Sequence, residues 1–140
     1  MRALIDANIL LDVLQAREPF FKDSSLIWKF CEVRRVEGFF SALTFANLVY
    51  ILRKELDEKA IEELLQQLML IFQVADLTQT DLKTAASLHW KDFEDAVQSA
   101  TAVRLRADYI VTRNVKDFMD SAVPAITPED FLAGADRGIS

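Results

Sequence analysis

The residues of this chain best suited to chemistry are acids set at the ends of apolar segments. Lys91-Asp92-Phe93-Glu94-Asp95-Ala96-Val97-Gln98 places three carboxylates where a helix begins, and Ala3-Leu4-Ile5 is a short apolar run ending in Asp6-Ala7-Asn8. A third segment, Asp108-Tyr109-Ile110-Val111-Thr112-Arg113-Asn114, ends another apolar run in polar groups and leads into Lys116-Asp117-Phe118. Oxygen donors of this kind suit Mg²⁺ or Mn²⁺ better than softer metals, and no Cys/His cluster competes. Asp92 and Asp95 are three residues apart, so a helix starting near Asp92 sets both carboxylates on nearly the same face, with Gln98 one turn further. Bringing them beside Asp6 would cost on the order of several kcal/mol in repulsion, or force proton uptake, unless a cation neutralises them. Each residue also has a plainer role. Asp6 suits a helix cap, Asp92 an N-cap with Glu94 and Asp95 complementing the helix dipole, and Asn114 a cap with Asp117 in its first turn. Asp12 falls inside a short helix, as an exposed residue or a partner behind the site.

The elements that must position these groups follow from the apolar period. Ala3 to Ile5 is a strand, followed by a helix from Ile9 to Gln15 capped by Asn8 and broken by Pro19. Phe20 to Val36 is helical and stops at Gly38, and Phe39 to Ala42 is a second strand. Thr44 caps a helix from Phe45 to Leu56, whose inner face is Leu48, Val49, Ile51 and Leu52. Asp57 or Glu58 opens the next helix, which runs through Leu70 into a third strand at Ile71 to Ala75. Helices at Thr78 to His89 and Asp92 to Ala107, strands at Tyr109 to Val111 and Ala125 to Ile126, and a helical turn at Pro128 to Leu132 complete the chain. Alternating strand and helix predicts an α/β fold with a mostly parallel sheet, where ligands gather outside the carboxyl ends of strands.

Composition bounds the rest. With 140 residues, 51% hydrophobic, 3 Gly and 3 Pro, the chain has the make-up of a single packed domain, residues 1–140. The lone Cys31 excludes a disulfide within one chain and points to a reducing cytoplasm. No apolar run approaches the roughly 18 residues that span a bilayer, and Met1-Arg2 leads into a strand rather than a signal peptide, so no membrane role is expected. His89, beside Trp90, fits packing or solvent better than ligation. The net charge of -6 speaks against nucleic-acid binding by surface charge alone. A cation held by the acids would reverse that sign locally.

Taken in order, Ile5-Asp6-Ala7-Asn8-Ile9-Leu10-Leu11-Asp12, Ser41-Ala42-Leu43-Thr44, Asp92-Phe93-Glu94-Asp95-Ala96-Val97-Gln98, Thr112-Arg113-Asn114, Asp117-Phe118 and the closing Thr127-Pro128-Glu129-Asp130-Phe131-Leu132 resemble the PIN domain, the nuclease fold of VapC-type toxins from bacterial toxin-antitoxin modules. The resemblance runs end to end and is to the branch with the Asp-Phe-Glu-Asp-Ala segment. It implies a single-domain three-layer α/β/α sandwich and a metal-dependent endoribonuclease, with RNA as substrate, an antitoxin as partner and a homodimeric assembly. Asp6 would be the first metal ligand, Asp95 the acid from the long helix and Asp92 an accessory. The family's second acid maps near Asn47, no acid occurring from Ser41 to Lys54, and its Thr-x-Asp acid falls on Asn114, with Asp117 three residues later. Two amides in place of carboxylates favour one metal ion over two, with Asp117, Glu94 or Asp92 in compensation. Asn8, Thr112 and Asn114 would orient ligands or substrate, and Arg113, Lys116, Arg17 and Lys22 would grip RNA phosphates. The alternative is a catalytically weakened PIN-like domain that serves as an RNA-binding or protein-interaction module. A phosphate-receiving signalling domain is disfavoured, because no Lys follows a late strand in the expected way.

Overall fold

Short apolar runs lying between amphipathic segments are suited to strands covered on both faces. In the computed structural model, which describes residues 1–135, these runs form β1 (Arg2–Ile5), β2 (Glu37–Ser41), β3 (Gln73–Ala75), β4 (Tyr109–Val111) and β5 (Ala125–Ile126). Residues 136–140, counted in the expected domain, lie outside the described residues. The sheet order is β3-β2-β1-β4-β5, and every pairing is parallel. Around it pack α1 (Ala7–Leu14), α2 (Phe21–Glu32), α3 (Ala42–Leu52), α4 (Glu58–Ile71), α5 (Gln79–Leu88), α6 (Phe93–Arg104) and α7 (Pro128–Ala135), with a 3₁₀ turn at Val115–Phe118. Among the described residues no helix is long and apolar enough to cross a membrane.

The pleat sorts the core into layers. Ala3, Ile5, Phe40 and Val111 face a large cluster with Ile9, Leu10, Ile27, Leu48, Leu68 and Phe131. Their chain neighbours Leu4, Phe39 and Ile110 face the opposite side, against Ala102, Phe118 and Val123. This is the period-two alternation of a strand, and it gives the expected α/β/α sandwich. On the second face α5 and α6 meet through Ala85, Ala96, Val97 and Ala100. They are tied by Arg104, whose Nε donates to both oxygens of the buried Asp81 at 2.9 and 3.1 Å. Burial pushes the Asp81 carboxyl up, but the Arg104 and Thr78 hydrogen bonds outweigh it and hold the group below the usual range.

Several expected boundaries move: the helices expected to reach Val36, Leu56 and Ala107 end at Glu32, Leu52 and Arg104, and four other shifts have a local cause. The first helix starts at Ala7, with Asp6 rather than Asn8 in the capping position. Ser41, not Thr44, caps α3, accepting the Thr44 N–H at 3.0 Å, so Ala42 is helical. Ile71 belongs to α4, and Phe72 N–H closes its last turn on Leu68 C=O at 2.8 Å. The amphipathic face of α4 therefore overrides the β-favouring Ile71-Phe72 pair. Gly38 is no helix stop; it lies within β2, where a Cβ would meet Cys31 Sγ at 2.6 Å and Phe72 Cδ1 at 2.9 Å. Gly38→Ala is accordingly expected to cost about 1–3 kcal/mol by overpacking. Urea denaturation checks this, and an unmoved midpoint would show that α2 gives way freely. The Cys31 thiol beside it is pushed up to about 12 by burial, which leaves it unreactive.

Candidate active site

With β1 central, the chain winds outward to β2 and β3 on one side and then crosses to β4 and β5 on the other. The carboxyl ends of β1 and β4 flank this reversal, the position where open α/β sheets bind ligands. Ile5 pairs with Val111, and Asp6 N–H donates to Val111 C=O at 3.0 Å, so the residues that follow, Asp6 and Thr112, emerge side by side. Asp6 has the extended backbone of an N-cap, yet its side chain makes no capping bond. Its Oδ2 instead accepts the Thr112 hydroxyl at 2.8 Å, and Thr112 Oγ1 accepts Asn114 N–H at 3.0 Å. The plainer reading of Asp6 as a helix cap is thus not how the carboxylate is used.

At Asp92 both readings hold. Its Oδ1 accepts Asp95 N–H at 3.0 Å, the bond of a capped helix, and its side chain also lines the cleft described next. Asp95, one turn on, makes no such bond and faces the same cleft. That cleft, about 330 Å³, brings together Asp6, Asn8, Asn47, Glu94, Asp95, Asn114 and Asp117, which the sequence had offered from five separate segments. Asp117 reaches it from the 3₁₀ turn, where its N–H donates to Asn114 C=O at 3.0 Å.

The electrostatics are those of a crowded acid site. Desolvation pushes the Asp95 carboxyl up to about 7, and the charges of Asp92, Asp117, Asp6 and Glu94 add to it. Asp6 is raised too, chiefly by burial, against the opposing Thr112 hydrogen bond and the Arg113 charge. Among the described residues no three His, Cys, Asp or Glu side chains stand close enough to hold a metal ion as placed. Carboxylates that repel one another are expected to stand apart in the absence of a cation. The donor chemistry nevertheless fits a hard divalent ion: carboxylates and amides, no sulfur or imidazole. Gln98, buried and lining the cleft, has an Oε1 with no hydrogen-bond partner among the described residues.

Two amides stand in the same cleft. Asn47 Nδ2 donates to Glu94 Oε2 at 3.1 Å, drawing a carboxylate beside the amide. Three features escaped the sequence wholly or in part, Asp12 taking the second of its two expected places, a partner behind the site. Asp12 is fully buried, not exposed: it accepts Ser24 Oγ at 2.9 Å, Arg113 Nε at 3.0 Å and Arg113 Nη2 at 3.1 Å. Arg113, expected to grip phosphate, is therefore held by Asp12 and stacked 3.9 Å over the Phe20 ring. Arg17 donates to Gln15 at 2.9 Å, Lys22 lines neither this cleft nor the one beside it, and Lys116 borders that neighbouring cleft. The other missed features are the chain Gln98–Thr44–Ser41, with Gln98 Nε2 donating to Thr44 Oγ1 at 3.0 Å, and the cleft wall formed by Tyr50 and Ile51. A charged residue inside the apolar run Ile9 to Leu14 was the available signal for Asp12.

Residues 2–116 match the family model of the PIN domain. The chain belongs to the PIN domain family. No curated protein sequence matches it. Solved structures similar to this PIN domain include a toxin-antitoxin complex from Klebsiella pneumoniae, 23% identical, covering 90% of this chain and 97% of that one, with a TM-score of 0.67. VapBC-1 from nontypeable Haemophilus influenzae is 15% identical over 92% of this chain and 99% of its own, with a TM-score of 0.68. VapC20 of Mycobacterium tuberculosis, described as a sarcin-ricin loop cleaving toxin, is 12% identical over 77% and 86%, with a TM-score of 0.62. At these identities the likeness is one of fold.

Proposed function

We propose that this PIN domain is a divalent-metal-dependent endoribonuclease, the toxin of a toxin-antitoxin pair, which hydrolyses RNA phosphodiesters in the cytoplasm. The observation that carries the reading is the convergence of Asp6 and Asp95 on one cleft, where desolvation, and then the charges of Asp92, Asp117, Asp6 and Glu94, push Asp95 up to about 7. Such a site is stabilised by a cation. Support for the substrate and partner comes from the fold shared with a toxin described as cleaving the sarcin-ricin loop and with proteins in toxin-antitoxin complexes. A homodimer belongs to the reading through the family resemblance.

Asp6 and Asp95 would hold Mg²⁺ or Mn²⁺. Once bound, the ion would acidify a water, polarise the scissile phosphoryl group and stabilise the leaving oxygen. The protein's own groups set the stage. The Thr112 hydroxyl fixes one oxygen of Asp6, and so the orientation in which the carboxylate would meet a ligand. Asn47 orients Glu94 through their hydrogen bond. Asn8 and Asn114 line the cleft and would offer amide donors to phosphate oxygens, and Asp117, which lines it too, would take up a proton.

Calorimetry with Mg²⁺ and Mn²⁺ on the wild type, Asp6→Asn and Asp95→Asn tests the assignment. Affinity is expected to fall about tenfold or more in each variant; unchanged affinity in both would sink it.

The neutral amides at Asn47 and Asn114 favour one further reading, a weakened nuclease kept for binding RNA or a protein. On this reading wild-type cleavage is slow, and Asn47→Glu with Asn114→Asp is expected to raise it about tenfold, or roughly 1.4 kcal/mol of barrier, by recruiting a second ion. The gain should grow with metal concentration, because the carboxylate introduced beside Glu94 would otherwise repel it. Efficient wild-type cleavage that the double variant leaves unimproved would assign the compensation to Glu94, Asp92 or Asp117. RNA binding without cleavage by either protein would put the binding module first.

A further inference from the structure

The acidic centre is not a closed pocket. Asp92, Asp95 and Asp117 line it and also line a second, larger cleft of about 890 Å³, so the two are continuous. The second cleft has a different character. Beyond the shared acids its walls carry Lys91 and Lys116, one further acid in Asp120, His89, and apolar surface from Leu88, Trp90 and Met119. Met119 is 78% exposed and Leu88 38%, apolar area left open beside two ammonium groups. Lys91 and Lys116 are the only Lys or Arg among the described residues that line either cleft. Neither forms an ion pair within 4.0 Å among the described residues. Of the four cations that sequence reasoning offered for this task, Arg113 is committed to Asp12 and Arg17 to Gln15, Lys22 lines neither cleft, and Lys116 remains.

We propose that this second cleft is the exit path of a single-stranded RNA, with Lys91 and Lys116 holding phosphates next to the scissile one and Leu88, Trp90 and Met119 receiving a base. The inference rests on the endoribonuclease reading and adds the positioning residues and the course of the strand to it. An endonuclease cuts inside a chain, so the strand must continue beyond the acids, and the second cleft is the opening that shares their side chains. Phosphates and π faces alternate along a single strand, which is what a groove of paired ammonium groups and apolar walls accommodates. It also bears on the charge problem, since the cleft sets its two lysines against four acids, three of them shared with the centre where a metal ion would bind. In a protein of net charge -6, two unpaired cations beside the acids supply local attraction that the whole molecule does not.

The experiment uses the full chain and a fluorescent oligouridylate, with binding followed by anisotropy in Ca²⁺ at several salt concentrations. Lys91→Ala with Lys116→Ala is expected to bind about tenfold or more weakly, with the slope of log affinity on log salt shallower by about 1.4, the change expected when two phosphates of a single strand are no longer neutralised. Lys91→Arg with Lys116→Arg should restore both quantities, and the exposed pair Lys59→Ala with Lys83→Ala should match the wild type. Metal affinity by calorimetry should stay unchanged in the alanine pair, which separates this cleft from the acidic centre. Equal affinity and slope in the alanine pair and the wild type would overturn the exit path while leaving the nuclease reading in place. No binding by the wild type would overturn both. Displacement of bound RNA by oligoglutamate at lower concentration than by unlabelled oligouridylate, in a lysine-dependent manner, would assign the cleft to an acidic protein segment and overturn the proposal.

Discussion

Asp95→Asn is expected to raise the stability of the metal-free protein and, on the proposed function, to remove RNA cleavage. The exchange deletes the charge that desolvation and four neighbouring carboxylates disfavour, and it breaks no hydrogen bond, because the helix start is held by Asp95 N–H on Asp92 Oδ1 at 3.0 Å. Asp95 titrates at about 7 when folded and at the ordinary value of 3.8 when unfolded, so the folded state holds the proton more tightly. Its contribution to stability is therefore fully present below pH 3.8, is lost as pH rises to about 7, and changes no further above that. Discounted for the partial solvent access of this side chain, the gain in the variant above pH 7 is about 1–2 kcal/mol. Thermal melts in a chelator should show variant and wild type converging near pH 4 and separating at pH 8. Adding Mn²⁺ should raise only the wild type. On the proposed function cleavage should fall by roughly 10² to 10³, since the ion that Asp95 would hold would supply several kcal/mol of charge stabilisation. A variant less stable than wild type at pH 8 would show Asp95 to be a structural acid.

Asp12→Ala is expected to be the most destabilising single change at an acid in this protein. Asp12 is 0% exposed and carries Ser24 and both contacts to Arg113, whose side chain is itself only 23% exposed. Removing one partner of a buried pair leaves the other charge uncompensated, at a cost of about 3–5 kcal/mol. The damage should reach the active site, because Arg113 lies between Thr112 and Asn114, whose bonds to Asp6 and to each other define it. Asp12→Leu with Arg113→Met, which removes both charges, should recover most of the loss in urea denaturation. If Asp12→Ala lies within about 1 kcal/mol of the wild type, the pair is no stronger than an exposed salt bridge.

The positions of the strands were legible in the sequence because each is a short apolar run flanked by amphipathic helices. β4 and β5 fall at their expected residues, and β1 differs by one. The acids too were legible, since carboxylates at strand and helix ends are conspicuous in a chain that is otherwise core. Helix ends were less so. The apolar period says which face is buried but not which side chain closes the last turn, so Asn8, Thr44 and Gly38 were assigned to caps and stops they do not serve.

What only the tertiary structure decided is how those groups are used. Asp6 and Asp92 both occupy capping positions, and local sequence offers no means to tell them apart. Asp6 sits where β1 adjoins β4, so the Thr112 hydroxyl, 106 residues away, takes its carboxylate; Asp92 has no such neighbour and caps its own helix. Likewise Asp12 differs from a surface acid only because Arg113 reaches it across 101 residues. The sequence by itself determined the elements and the residue types at their ends, which depend on local period and propensity. The strand order, set by burial of both sheet faces, decided which ends meet, and so which acids bind one another's partners, which crowd a cleft, and which cations are left free beside it.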